Sequence, residues 1–291
     1  MLFAPQQAEL SLIATNWADG SRPGANPGTT VTARHDGDYS AAVWTTLLSS
    51  GDVTSDVYEL HVQNHNFGLS GQGFHGSINI GYDPAGGTSF TPLVYLFGGQ
   101  SGAATIGGHH WHLLCRVPAG STIGARAVWS HASDGASCKV VISAFGLPSP
   151  SHLYCPASRV QSIGIDTVDT YGVSVVTGTA SEGDWILIGQ LDFDAFAWEI
   201  AFGTANSALN ANRYEADLGW CDVSSPASPD DVHKIIERNY VITTAAEQSY
   251  KPRNLTYKRV PAGSYIFGRA QMGPNALPAG STYISAIAMG R

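Results

Sequence analysis

Arg116-Val117-Pro118-Ala119-Gly120-Ser121 occurs twice in this chain, returning as Arg259-Val260-Pro261-Ala262-Gly263-Ser264 at a shift of 143 positions. At the same shift Ala125 becomes Gly268, and Arg126-Ala127 recurs as Arg269-Ala270. Each copy then runs into a small, apolar, alternating segment that ends in glycine, at 140–146 and 283–290. Upstream, Trp44 aligns with Trp185, Tyr58-Glu59-Leu60 with Trp198-Glu199-Ile200, and Ile80-Gly81-Tyr82 with Leu218-Gly219-Trp220, at shifts of 141, 140 and 138. A repeat this long exceeds a solenoid unit of about 20–50 residues and matches the size of a domain. The chain therefore reads as an internal duplication: an N-terminal arm at 1–29, module 1 at 30–148, a linker at 149–164 and module 2 at 165–291.

Only 13% of the residues are charged, while 43% are apolar and 33 are glycine. That charge content is about half the globular norm. Such a composition suits short strands joined by tight turns rather than long solvated helices. The net charge is −8 and there is no run of Lys or Arg, so a nucleic-acid groove has no electrostatic footprint. No apolar stretch reaches 18 residues, so no membrane-spanning helix is expected. The first residues, Met1-Leu2-Phe3-Ala4-Pro5-Gln6-Gln7, lack a basic region followed by an apolar core, so no secretory leader is expected.

Period-two alternation marks the strands. Tyr58, Leu60 and Val62 share one face, as do Ile78, Ile80 and Tyr82. The run Leu93-Val94-Tyr95-Leu96-Phe97 reads as a strand buried on both faces. Asp83-Pro84-Ala85-Gly86-Gly87 reads as a turn, with proline fixing φ and glycine permitting positive φ. Residues 229–236 carry signals for either a short helix or a strand, and 265–271 with 283–289 are expected to form a closing hairpin. Residues 1–29 read as an arm that crosses to a neighbour or a docking point, or as a disordered tail, and Leu10, Leu12, Ile13 and Trp17 favour a docked arm. About eight short strands per module imply an all-β chain of two tandem antiparallel β-sandwiches, jelly-roll-like.

Candidate chemistry is sparse. Six of the ten histidines lie between His61 and His112. On a strand His110 and His112 share one face, so they are weak metal candidates, with Glu59 or Asp83 as a carboxylate partner. Acids gather at Glu182, Asp184, Asp192, Asp194 and Glu199, and carboxylate pairs beside aromatics are the tools of glycosidases. Glu59 and Glu199 align as repeated acids, though, and Arg126 and Arg269 as repeated bases, so structural ion pairs within each module are expected instead. There is no GxSxG, P-loop or GxGxxG sequence, so no catalytic residue and no cofactor is assigned. The four cysteines, Cys115, Cys138, Cys155 and Cys221, form no CxxC and do not fall at equivalent places in the two modules, so they are expected to be free, buried thiols packing as small apolar residues, with a Cys115–Cys138 cross-strand pair as the alternative. Tyr82, Trp129, Tyr154, Tyr214 and Trp220 lie at expected turns or strand ends, where exposed aromatics stack on sugars or fill interfaces. Trp44, Trp185, Tyr58 and Trp198, being repeated, are expected in the core.

Asp83-Pro84-Ala85-Gly86-Gly87-Thr88-Ser89, followed by Val117-Pro118-Ala119-Gly120-Ser121 and Ala125-Arg126-Ala127, resembles strings found in uncharacterised structural proteins of tailed bacteriophages and phage-like particles. The resemblance covers both modules, although module 2 has no Asp-Pro-Ala-Gly-Gly turn. It implies a non-enzymatic virion component (decoration, neck, tail or fibre protein) assembled in the host cytoplasm. The implied partners are copies of itself, with three-fold symmetry expected, and other virion proteins. The alternative is a carbohydrate-binding adhesin that uses the exposed aromatics on a host glycan.

Overall fold

The alternating runs fold as strands. The computed structural model describes residues 10–17, 28–35, 39–65, 74–101, 109–129, 136–147, 157–166, 172–178, 181–204, 212–225, 232, 234–244, 255–272 and 282–291. The first half contains β1 (Ser11–Thr15), β2 (Thr29–Arg34), β3 (Thr45–Leu48), β4 (Val57–His65), β5 (Phe74–Asp83), β6 (Thr91–Ser101), β7 (His109–Val117), β8 (Thr122–Trp129) and β9 (Ala136–Gly146). The second contains β10 (Arg159–Ile163), β11 (Val173–Val175), β12 (Thr177–Gly178), β13 (Ile186–Gln190), β14 (Ala195–Thr204), β15 (Asn212–Cys221), β16 (Lys234–Thr244), β17 (Thr256–Val260), β18 (Tyr265–Met272) and β19 (Thr282–Gly290). The described residues form no α-helix; a 3-10 turn spans Tyr39–Ala41. None of their helices is long and apolar enough to cross a membrane. At residues 234–236 the strand reading holds, as part of β16.

Both halves have jelly-roll strand order. In the first, β2-β9-β4-β7 and β3-β8-β5-β6 are the two four-stranded layers, with β1 added beside β9. In the second, β11, β19, β14 and β17 face β13, β18, β15 and β16, and β10 takes the place of β1. The pairing is the same strand for strand. The halves differ at the strand that spans the layers. Ala33 of β2 pairs with both β9 and β8, which joins the layers into one curled nine-stranded sheet. In the second half that strand breaks at Val176 into β11 and β12, leaving two separate sheets.

The repeated hexapeptide is the turn between β7 and β8, and again between β17 and β18. The Ser121 N–H donates to Pro118 O, and Ser264 N–H to Pro261 O, each at 3.3 Å. Gly120 and Gly263 sit at φ 76° and 80°, the left-handed position that a type II turn gives to glycine. Asp56 Oδ1 accepts the Ala119 N–H (3.0 Å) while Arg116 bonds Asp56 Oδ2 (2.8 Å). Asp194 does the same for Ala262 (2.9 Å) and Arg259 (3.4 Å). The Ala119 N–H, with help from Arg116, holds Asp56 below its usual carboxylate range. A Cβ at Gly120 or Gly263 would touch nothing within 4 Å, so substitution costs only backbone strain. Gly120→Ala and Gly263→Ala are each expected to lose about 1–2 kcal/mol, and by equal amounts, in urea unfolding. An unequal pair would mean that the two turns are not equivalent. The Asp83 turn also forms as read: Gly86 has φ 74°, and the Asp83 carboxylate accepts the N–H groups of Ala85 and Ser89.

Several expectations change. The described part of the arm, β1, pairs with β9 and is a strand of module 1. Asn16 extends the docking: its amide donates to Val140 O (2.8 Å) and its Oδ1 accepts the Ile142 N–H (2.7 Å). The end of the expected linker, as β10, pairs with β19 inside module 2. The segments 265–271 and 283–289 do not form a hairpin, because β18 and β19 lie in opposite layers. Alternation defines a strand but not its neighbour. The cysteine expectation holds: Cys115 and Cys138 are free and buried, and their alternative pairing is ruled out by their places on β7 and β9, which flank β4 on opposite sides. Burial pushes each thiol up to about 12.

The two modules share a core. Ala197, Ile287 and Met289 of module 2 belong to the apolar cluster built by Leu60, Val94, Leu96, Leu113 and Ile142 of module 1. Module 2 also satisfies both end strands of the curled sheet. On β7, the Leu114 N–H donates to Met289 Sδ (3.1 Å) and the His112 N–H to Glu199 Oε1 (2.7 Å). On β6, Ser162 Oγ accepts the Tyr95 N–H (2.8 Å) and donates to Tyr95 O (3.1 Å). This explains why the 93–97 run is apolar on both faces: Val94 and Leu96 fill the module core, while Leu93 packs on the cluster that module 2 completes. Edge strands left open invite further pairing, and here side chains of the other module cover them.

Candidate functional site

Where module 2 meets β7, four titratable side chains come together. Glu59 and His61 are two apart on β4 and so project from the same face of the strand. His112 lies directly opposite His61 in the β4–β7 register. The two imidazoles stack at 4.1 Å between centroids and 4° between planes. His61 Nε2 lies 2.5 Å from Glu59 Oε1, and the Phe145 ring packs 4.5 Å from His61. Glu199, from β14 of the other module, closes the group through the His112 N–H.

The electrostatics are those of crowded, half-buried groups. Burial pushes the Glu199 carboxyl up to about 8; the His112 N–H opposes the shift and the Glu59 charge adds to it. Burial, then His61, lowers His112 from its ordinary value, against the pull of Glu59. Glu199 thus keeps its proton in the folded protein up to about pH 8, whereas the unfolded chain gives it up near 4.5. The stability linked to that proton is fully present below pH 4.5 and declines as pH rises through 8, by at most about 1.4 kcal/mol per pH unit. Glu199 retains some solvent contact, so the effect is discounted. Glu199→Gln keeps an oxygen for the His112 N–H and removes the titration. In metal-free buffer it should match the wild type near pH 5 and exceed it by about 1–2 kcal/mol at pH 8. Equal stability at both pH values would show that Glu199 is ionised in the folded protein.

The structure redistributes the residues read from sequence. His112 is in the cluster, but His110 stands opposite Gln63, two register positions along the same face. Asp83 is committed to its own turn. Glu59 and Glu199 are not equivalent. Gly146 and Gly290 hold matching places, opposite Val57 and Ala195, and counting from them puts Ala197 at the place of Glu59 and Glu199 at the place of His61. A slip of two returns a strand side chain to the same face, so alternation could not reveal it. Arg126 and Arg269 are equivalent, but they do not pair with these glutamates. Arg126 bonds Asn79 Oδ1 (3.0 Å) and Tyr39 O (2.7 Å). Arg269 bonds Asp217 (2.7 Å) and Glu182 (2.5 Å). Each guanidinium lies over a repeated indole, Trp44 at 4.7 Å and Trp185 at 4.4 Å, and each indole packs on a repeated glycine, Gly81 and Gly219. Trp44 and Trp185 are half-buried covers rather than core residues, and Tyr58 is half-buried too, whereas Trp198 lies in the module 2 core as expected.

Of the aromatics named for glycan contact, the three whose side chains are described do not form an exposed surface. Trp129 is fully buried, Trp220 is nearly so, and Tyr82 packs half-buried on the module 1 core. Tyr154 and the Tyr214 side chain lie outside the described residues. A recess beside Arg269, lined by Glu182, Glu215, Asp217 and Gln271, is too shallow to enclose even a water-sized space, far short of the roughly 300–1,000 Å³ usual for ligand pockets.

No protein-family model and no curated protein matches this chain. Among solved structures, PNGF-II in space group P21 aligns with 96% of this chain and 64% of its own, at 9% identity and TM-score 0.37. PNGase F, a glycosylasparaginase from Flavobacterium meningosepticum, aligns with 90% of this chain and 96% of its own, at 10% identity and TM-score 0.34. The T=3 Penaeus vannamei nodavirus aligns over 99% and 92%, at 9% identity and TM-score 0.21. This chain spans just under two thirds of PNGF-II.

Proposed function

We propose that the protein is a non-enzymatic structural component of a tailed-phage virion, acting through its β surfaces in a homo-oligomer. The observation that carries this reading is the fusion of two jelly rolls through one shared apolar cluster, with module 2 side chains bonded to both end strands of module 1. Such a unit presents fixed surfaces with few charges, which favours packing against copies and neighbours. Closed symmetry is the general expectation for such assemblies. The adhesin reading has less support, because two of its five aromatics, Trp129 and Trp220, are interior. Gold-labelled antibody against the chain, applied to purified particles from its source and viewed by electron microscopy, tests the proposal. Label at one place on the particle is expected; particles without label would sink it.

One observation favours a second reading. A glutamic acid kept protonated at neutral pH beside another glutamate is the pairing used in general acid–base catalysis, and Glu199 with Glu59 has that character. Hydrolysis of a panel of glycans, lost in Glu199→Gln, would support it. A panel left intact by the wild type would discard it.

A further inference from the structure

We infer that Glu59, His61 and His112 bind one divalent transition-metal ion of the zinc class. One ligand atom from each of the three lies within 4.8 Å of the others. Tetrahedral zinc with bonds of about 2.0–2.1 Å places its ligands roughly 3.3 Å apart, so the group must close by at most about 1.5 Å. His61 is 38% and Glu59 18% exposed at the side chain, so rotation of these two suffices without moving a strand. The donors suit the ion. Two imidazoles and one carboxylate form a three-ligand set that leaves one coordination position open. Calcium and magnesium prefer shells made of oxygen, whereas imidazole favours zinc, copper and nickel. Binding replaces the short Glu59–His61 contact: each imidazole presents a neutral nitrogen, and any proton held between Glu59 and His61 leaves to solvent.

Two further features support a built site. The His112 backbone is fixed from the other module by Glu199, and Phe145 packs against the His61 ring; such support around the ligands tunes affinity. The second jelly roll also shows that the fold does not require these residues. Its matching places are Ala197, Glu199 and Leu255, read from the common registers of β4 with β7 and of β14 with β17. A stacked histidine pair beside a glutamate therefore belongs to module 1 alone. The ion would tie the end strand β7 to β4 where module 2 docks.

The test is titration of the full chain, freed of metal with EDTA, with zinc chloride by calorimetry, and with magnesium chloride as control. The expected result is one zinc per chain with no response to magnesium, and a melting temperature that rises with zinc concentration. His61→Asn and His112→Asn should each weaken binding at least tenfold, and Glu59→Gln should also weaken it, while His110→Asn leaves it unchanged. Cobalt supplies a second readout, since its visible absorption reports tetrahedral coordination directly. Each variant is first compared with the wild type in EDTA by circular dichroism, so that loss of fold is not read as loss of ligand. Zinc bound equally by His61→Asn and His112→Asn would overturn the inference, as would no zinc binding by the wild type.

Discussion

Arg269→Met is expected to destabilise the protein by about 3–5 kcal/mol, the range for removing one member of a buried ion pair. Asp217 is only 4% exposed at its side chain, and Arg269 is its bonded cation at 2.7 Å. Without the guanidinium, the buried Asp217 carboxyl loses the cation bonded to it, and Trp185 loses the cation that lies over its ring. Module 1 supplies the control. There the same arginine position, Arg126, faces Asn79, which carries no charge. Arg126→Met should cost less, about 1–3 kcal/mol, the price of unmade hydrogen bonds. Asp217→Asn imitates the module 1 arrangement and should be milder than Arg269→Met. Urea unfolding followed by tryptophan fluorescence ranks the three. Should Arg269→Met cost under 1 kcal/mol, the Arg269–Asp217 pair is screened by solvent.

Met289→Ala is expected to cost about 2–5 kcal/mol, and to weaken both modules together. The side chain is fully buried, lies in the cluster shared by the modules, and accepts the Leu114 N–H from β7. Its loss opens a cavity at the seam and removes a weak acceptor from an end strand. Hydrogen exchange read by mass spectrometry distinguishes the outcomes. Loss of protection in β7 and β14 alike is expected if the seam is one cooperative unit. Loss confined to β14 and β19 would show that module 1 is stable without its neighbour.

The hexapeptide turn was legible because its chemistry is local. Proline sets one φ, glycine accepts the left-handed φ, and the turn hydrogen bond spans three residues. The equivalence of Trp44 with Trp185 and of Arg126 with Arg269 was also legible, as repeated letters. Their partners were not. Asn79 and Asp217 reach these arginines from β5 and β15, at separations of 47 and 52 residues. The Glu59–Glu199 alignment failed through the symmetry of a strand, where a slip of two leaves every side chain on its own face. Of the candidate site, only His112 and its possible partner Glu59 could be named in advance. His61 stood in the same histidine-rich stretch but was not linked to His112, because which residues oppose each other is set by register.

The amino-acid sequence by itself determined the all-β class, the two-fold repetition of the pattern and the conformation of its turns. These follow from alternation, composition and the torsional limits of proline and glycine, which act within a few residues. The tertiary structure alone decided that β18 and β19 lie in opposite layers. It alone set His61 against His112, and brought Glu199 and Met289 onto the edge of the other module. These choices depend on packing and pairing between segments far apart in the chain, where burial of apolar surface and satisfaction of edge hydrogen bonds are settled only once both jelly rolls have formed.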